Sequence, residues 1–218
     1  MRNLIYHLDH GTAHPDSKNV HSYNQDFVKA DLVPRDVLRA SPFLFCIVRD
    51  PVDRFLSLYF DKIANLDNEK DAAMRRRVVR KAGIELAPRM GLSDHQQNAL
   101  LTINWFGRNL ERGLKGKINP HWQRQKERLS RLVDLNARLV TLDGLPWQLP
   151  ALLSPVIPDI AQQMDAVRIV NQSTKPFSKA QMLTPELEET IHAVYAQDLE
   201  TYQMVRSEWG KGPVSERA

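Results

Sequence analysis

The sequence predicts an α/β fold with a mainly parallel sheet, and three observations carry that prediction. Phe43-Leu-Phe-Cys-Ile-Val48 is an unbroken apolar run of the kind seen where both faces of a strand are buried. Arg49-Asp50-Pro51 follows at once and leads into apolar residues at three-and-four spacing, so a strand feeds directly into a helix. Strand-like and helix-like stretches then alternate along the chain with no fixed repeat.

Taken in order, the apolar run is expected in the middle of a sheet. Asp50 should cap the next helix, because its carboxylate can accept from orphan amides, and Pro51 suits the first helical position, where no amide is needed. Val52, Phe55, Leu56, Tyr59, Ile63 and Leu66 form the stripe expected to pack that helix back on the sheet. Asp71 to Lys81 predicts a strongly basic helix, and Ser93 to Phe106 a serine-capped one carrying Leu100, Leu101, Ile103 and Trp105. Gly113, Gly116 and Pro120 interrupt the pattern before Trp122 to Leu132 resumes as a helix. Ala137 to Leu142 predicts a second strand closed by Asp143-Gly144. Pro146, Pro150, Pro155 and Pro158 crowd a loop or short helical passage. Val167 to Val170 predicts a short strand, followed by Asn171-Gln-Ser-Thr174. Thr184-Pro185-Glu186 should cap a last helix running to about Tyr202, and 210–218 reads as a flexible tail, leaving a single domain over 1–209.

Composition excludes several function classes. The chain has 218 residues, a net charge of +4, 42% hydrophobic and 26% charged residues, which is a globular balance and neither disordered nor fibrous. No stretch reaches the roughly 20 apolar residues of a membrane span, and His7, Asp9, His10, Asp16 and Lys18 interrupt the first thirty positions, against a signal peptide. A single cysteine, Cys46, allows neither an internal disulfide nor a cysteine-based zinc site, so a reducing, cytoplasmic setting is expected. The basic charge comes without a helix-turn-helix pattern or aromatic RNA-binding signature, so no nucleic acid partner is expected.

Chemistry concentrates in Arg49-Asp-Pro-Val-Asp-Arg54-Phe-Leu-Ser57-Leu-Tyr59. A guanidinium at a strand end can grip a phosphate bidentately, and a hydroxyl on the following helix can add a neutral donor near the helix N-terminus. Arg49 and Ser57 suit that pair. The competing reading pairs Arg49 with Asp53 and leaves Ser57 facing solvent.

The segment F-L-F-C-I-V-R-D-P-V-D-R-F-L-S-L-Y resembles the 3′-phosphate-binding segment of the carbohydrate sulfotransferases of the heparan 2-O and chondroitin 4-O type and their bacterial relatives. Asn119-Pro-His121-Trp122-Gln-Arg-Gln125 resembles the H-W-x-x-Q segment of that family, and Ile169-Val-Asn171-Gln-Ser173-Thr174 its late N-x-S/T segment, in the same order. The resemblance implies a P-loop-like three-layer α/β fold. It further implies transfer of a sulfuryl group from 3′-phosphoadenosine 5′-phosphosulfate (PAPS) to a hydroxyl or amine acceptor, with a carbohydrate expected and no metal. Arg49, Arg54 and Ser57 would hold the nucleotide. A histidine is the natural base for the acceptor proton. His21 is the first candidate, from its place upstream of the 3′-phosphate strand, and His121 the second, from its place in the H-W segment. His7, His10 and His14 are better read as an exposed helix end than as a metal site.

The chain departs from the family pattern at one point. Such enzymes carry an early P-K-x-G-[TS]-[ST] loop for the 5′-phosphosulfate, and no such segment is found; Met1 to Leu8 reads as the helix that should follow it. The first strand and loop are therefore expected to be missing. A non-catalytic relative that binds an anionic glycan or protein partner is the alternative. The basic residues Arg75, Arg76, Arg77, Arg80, Lys81 and Arg89, with Arg108, Arg112, Lys115, Lys117, Arg124, Lys126, Arg128 and Arg131, are either a rim attracting such anions or solvated helix faces.

Overall fold

The computed structural model describes residues 33–41, 44–111, 119–130, 132, 135, 137–166 and 175–210. The N-terminal helix, the His7, His10 and His14 group, the strand at 167–170, Asn171 to Thr174 and the tail after Gly210 lie outside the described residues.

In chain order the elements are α1 (Arg35–Ala40), β1 (Phe45–Val48), α2 (Pro51–Leu58) continued by a π-helical turn (Tyr59–Ala64), a 3-10 turn (Glu69–Asp71), α3 (Ala72–Ala82), α4 (Leu92–Glu111) and α5 (Gln125–Leu129). β2 (Arg138–Thr141), α6 (Leu145–Leu153), α7 (Ile160–Ala166), α8 (Lys179–Met182), α9 (Pro185–Val194) and α10 (Ala196–Glu208) complete the order. The described residues are thus mostly helical with a two-stranded parallel sheet. They fall into two compact units, and α5 and α10 carry the chain from one to the other.

One unit contains α1, β1, β2, α6 and α7. β1 and β2 pair in parallel with Phe45 opposite Arg138 and Val48 opposite Thr141, as expected of strands separated by helices. The ladder extends beyond both ends, since Arg138 N donates to Leu44 O and Leu142 N to Val48 O, each at 2.8 Å. Within β1, Phe45, Cys46 and Ile47 are half-buried, so of the strand's four residues only Val48 is buried as the apolar run predicts. Leu149 and Ile160 centre the core of this unit, with Phe45, Leu145, Leu153, Ile157 and Met164 around them. The proline-rich stretch is a short helical passage: Pro146 and Pro150 lie in α6, and Pro155 and Pro158 in the turns that lead to α7. Pro146 sits in the first turn of α6, where an amide is dispensable. Gly144 is required for space: a Cβ there would lie 2.3 Å from Gln148 Nε2 and 2.5 Å from Thr141 Oγ1.

The other unit packs α2, its π-helical turn, α3, α4, α8 and α9. Asp50 and Pro51 start α2 as expected, with Asp50 Oδ1 accepting from Asp53 N at 2.9 Å. Val52, Phe55, Leu56, Tyr59 and Ile63 are buried; Leu66 lies past the end of the helical segment and is exposed. Phe106 stacks on Trp122 at 4.8 Å between ring centroids, and Phe55 meets Phe106 edge-on at 6.2 Å. α4 begins at Leu92, one residue before the expected serine cap, because the Asp94 carboxylate accepts from Gly91 N at 3.0 Å. The helix expected over Trp122 to Leu132 contracts to α5, since Trp122 belongs to a turn whose carbonyls are bonded by other side chains. Thr184 caps α9 through Leu187 N at 3.2 Å, but the backbone of Tyr195 leaves helical geometry and divides the expected last helix into α9 and α10. Among the described residues no helix is long and apolar enough to cross a membrane.

Candidate anion site after the first strand

The chain leaves β1 at Val48, turns through Arg49 and Asp50, and enters α2. Arg49 is fixed by its backbone. The Gln125 side chain pairs with it twice, accepting from Arg49 N at 3.0 Å and donating to Arg49 O at 2.8 Å, as a neighbouring strand would. The guanidinium of Arg49 meets no acceptor among the described residues, and its Nε is wholly buried without a partner. Burial pushes its pKa down, Asp53 and Asp50 oppose that, and Arg54 adds to it. A half-buried cation with an orphan donor is stabilised by an anion.

The ion pair between Arg49 and Asp53 does not form. Asp53 is taken by Lys179 at 3.0 Å, which also approaches Asp50 at 3.7 Å. Ser57 is half-buried and lies four residues after Asp53, hence beside it on the helix face. Lys175 joins the same cluster: burial pushes its pKa below the ordinary lysine value, Arg49 and Lys179 reinforce that, and Asp53 opposes it. Arg49, Lys175 and Lys179 thus face the two carboxylates of Asp50 and Asp53, which leaves the cluster with an excess of positive charge.

Arg54 points elsewhere. Its Nη1 pairs with Asp198 at 3.3 Å, its Nη2 donates to His121 O at 3.1 Å and to Gln123 O, and its Cζ lies 5.6 Å from the centre of the Tyr195 ring. Its donors hold the H-W-x-x-Q turn. The His121 backbone is fixed as well, by its N donating to Asn119 Oδ1 at 3.0 Å, while its side chain is exposed. Partial desolvation and the Lys62 cation hold its imidazole below the usual value, against Asp71 and Asp61; Arg54 also lowers it. Lys62 itself bridges Asp71 at 2.9 Å and Asp61 at 3.1 Å. His21 lies outside the described residues.

Several residues were beyond sequence reasoning. Asp198, buried on α10, and Lys179 carry no local signal, and Gln125 shows only as part of the quoted segment. Tyr59 of the S-x-Y motif is buried with its hydroxyl 3.1 Å from His95 Nδ1, and His95 lines an open cavity of about 590 Å³ with Phe60, Asp61, Asn65, Arg89 and Met90. Of the basic residues, Arg75 is bound to the carbonyls of Asn65, Leu66 and Asn68 and so is not a free rim cation. Arg112, Lys115, Lys117 and Arg131 lie outside the described residues.

The family model described as "Sulfotransferase family" matches residues 3–204, and the chain belongs to that family. This bears out the resemblance carried by the R-D-P segment and its two companions. Comparison with curated proteins and with solved structures gives no match.

Proposed function

We propose that this protein transfers a sulfuryl group from PAPS to a hydroxyl or amine of a carbohydrate acceptor, on a P-loop-like three-layer α/β fold. One observation carries the reading: Arg49 is locked by its backbone at the strand end while its guanidinium, buried at Nε, meets no acceptor among the described residues. Family membership supports PAPS as the co-substrate. The residues present fit the 3′-phosphate of such a nucleotide, because an orphan arginine donor, the Lys175 ammonium and a serine hydroxyl can all donate to phosphate oxygens.

When bound, PAPS supplies a sulfuryl group with a phosphate leaving group. Arg49, Ser57 and Lys175 bind and orient the nucleotide end. Arg54 holds the turn that carries His121. The His121 imidazole is held below the usual value, so a neutral ring nitrogen can take the acceptor's proton as the acceptor oxygen or nitrogen bonds to sulfur and the bond from sulfur to the 5′-phosphate oxygen breaks, releasing adenosine 3′,5′-bisphosphate. His21 is the other base candidate in this proposal. By analogy with phosphoryl transfer, most of the catalysis is positioning and electrostatics.

The test is transfer of radiolabelled sulfate from PAPS to desulfated acidic polysaccharides, with His21→Ala and His121→Ala compared. Label in the polysaccharide, abolished by one of the two substitutions, supports the reading and identifies the base. PAPS binding with no transfer to any acceptor favours the non-catalytic glycan-binding or protein-binding alternative. Absence of both binding and transfer in the folded chain overturns the use of PAPS.

A further inference from the structure

In the turn from His121 to Gln125 the amides of His121, Trp122 and Gln123 donate locally to Asn119, whereas its carbonyls and its last amide are held by side chains distant in sequence. The carbonyls of His121 and Gln123 accept from Arg54 Nη2, and the carbonyl of Trp122 accepts from Tyr195 Oη at 2.9 Å. The amides of Gln125 and Lys126, orphans at the start of α5, donate to the two carboxylate oxygens of Asp198 at 2.8 and 2.9 Å. The Asp198 side chain has no exposed surface, and its third bond is the pair with Arg54. A buried carboxylate is stable only when its acceptor sites are filled, as here by two amides and a guanidinium. Arg54 and Asp198 therefore fix the two ends of one turn from α2 and α10.

That turn leads directly to the anion site. Gln125 gives its amide to Asp198 and its side chain to the backbone of Arg49. A continuous path thus runs from the Asp198 carboxylate through Gln125 to the main chain of Arg49. We propose that the Arg54–Asp198 pair is a positioning latch for residues 121–125 and that it sets phosphate affinity at Arg49 through Gln125. This rests on the reading of Arg49 as an anion site. In this arrangement Arg54 acts on the phosphate indirectly, through the turn it braces.

A shared path has a distinctive consequence. Residues acting through one intermediate give non-additive losses, whereas independent damage adds. The probe is adenosine 3′,5′-bisphosphate, titrated calorimetrically into the full chain, into D198N and Q125A, and into the double variant. Asn in place of Asp198 keeps the shape but turns donors toward a donor and leaves Arg54 unpaired. Each single substitution is expected to weaken binding about tenfold, and the double variant to bind no more weakly than the poorer single.

Amide hydrogen exchange on the same samples reads the latch without any ligand. Gln125 and Lys126 should exchange faster in D198N than in wild type, while amides in the middle of α4 stay unchanged. Unchanged affinity in a folded D198N, or losses that simply multiply in the double variant, would overturn the proposal. If wild type takes up no bisphosphate, the anion-site reading fails and the affinity claim falls with it, while faster exchange still identifies the latch. Should D198N not fold, Arg54→Lys carries the same comparison, since it keeps a cation near Asp198 but loses the guanidinium's fork of carbonyl bonds. Non-additivity with Q125A then supports the latch and additivity refutes it.

Discussion

Replacing Arg49 with alanine should separate affinity from stability. The backbone of Arg49 is bonded to Gln125 at 3.0 and 2.8 Å, and both bonds survive the substitution because they use only main-chain atoms of residue 49. The guanidinium contributes no ion pair among the described residues, keeps a buried Nε without a partner and is penalised by burial. Its removal should leave the melting temperature unchanged or slightly raised. A bound phosphate, in contrast, loses a charge-assisted bond of about 1.5–3 kcal/mol. That corresponds to roughly 10- to 150-fold weaker binding of adenosine 3′,5′-bisphosphate. Titration calorimetry at two salt concentrations is the assay, with adenosine 5′-monophosphate as the ligand lacking the 3′ group. The difference between the two nucleotides should shrink in the Arg49→Ala variant. Equal affinity in wild type and variant, together with a clear drop in melting temperature, would refute the reasoning, since it would make Arg49 a structural residue.

Ser57→Ala should weaken the same bisphosphate by roughly three- to tenfold, the scale of one neutral hydrogen bond, with little change in stability; an unchanged affinity would remove Ser57 from the site. His95 is held below its ordinary pKa mainly by burial, with Asp94 opposing. The unfolded chain, near pKa 6.5, therefore takes up the proton first. The contribution to stability is present above about pH 6.5 and is lost as pH falls through the folded value. Urea unfolding at pH 7.5 and 5.5 should show a smaller pH difference in His95→Gln than in wild type, and equal differences would contradict the assignment. At Gly107 a Cβ would lie 2.9 Å from Val194 Cγ2, where α4 and α9 approach closely. Gly107→Ala should cost about 1–3 kcal/mol in chemical denaturation, partly restored by Val194→Ala. Gly144→Ala should destabilise on a similar scale because Thr141 and Gln148 leave no room, read as a lowered denaturation midpoint.

Local chemistry made much of this legible in advance. Asp50 and Pro51 start α2 because capping and a missing amide are properties of two adjacent residues. The stripe from Val52 to Ile63 is buried because helical spacing alone places those side chains on one face. Thr184 caps α9 for the same local reason. The parallel pairing of β1 and β2 follows from the long helical connection between them. At the candidate site, where the expectation failed, a neighbour distant in sequence intervened. The Trp122 segment reads as helix by propensity, yet Arg54 and Tyr195 hold its carbonyls in a turn. The competing Arg49–Asp53 pair, reasonable by spacing, does not form either, because Lys179 takes Asp53.

By itself, then, the sequence determined the strand-to-helix junction, the buried face of α2 and the family, and it offered Arg49 and Ser57 as candidates for an anion site. Only the tertiary structure decided that the Arg49 guanidinium meets no acceptor among the described residues while Arg54 is drawn onto Asp198 and the H-W turn. The reason is physical. Caps and stripes depend on residues within one or two turns, which a periodic pattern records. The direction of a long guanidinium depends on which buried carboxylate comes within reach after folding, and Asp198 lies 144 residues away along the chain.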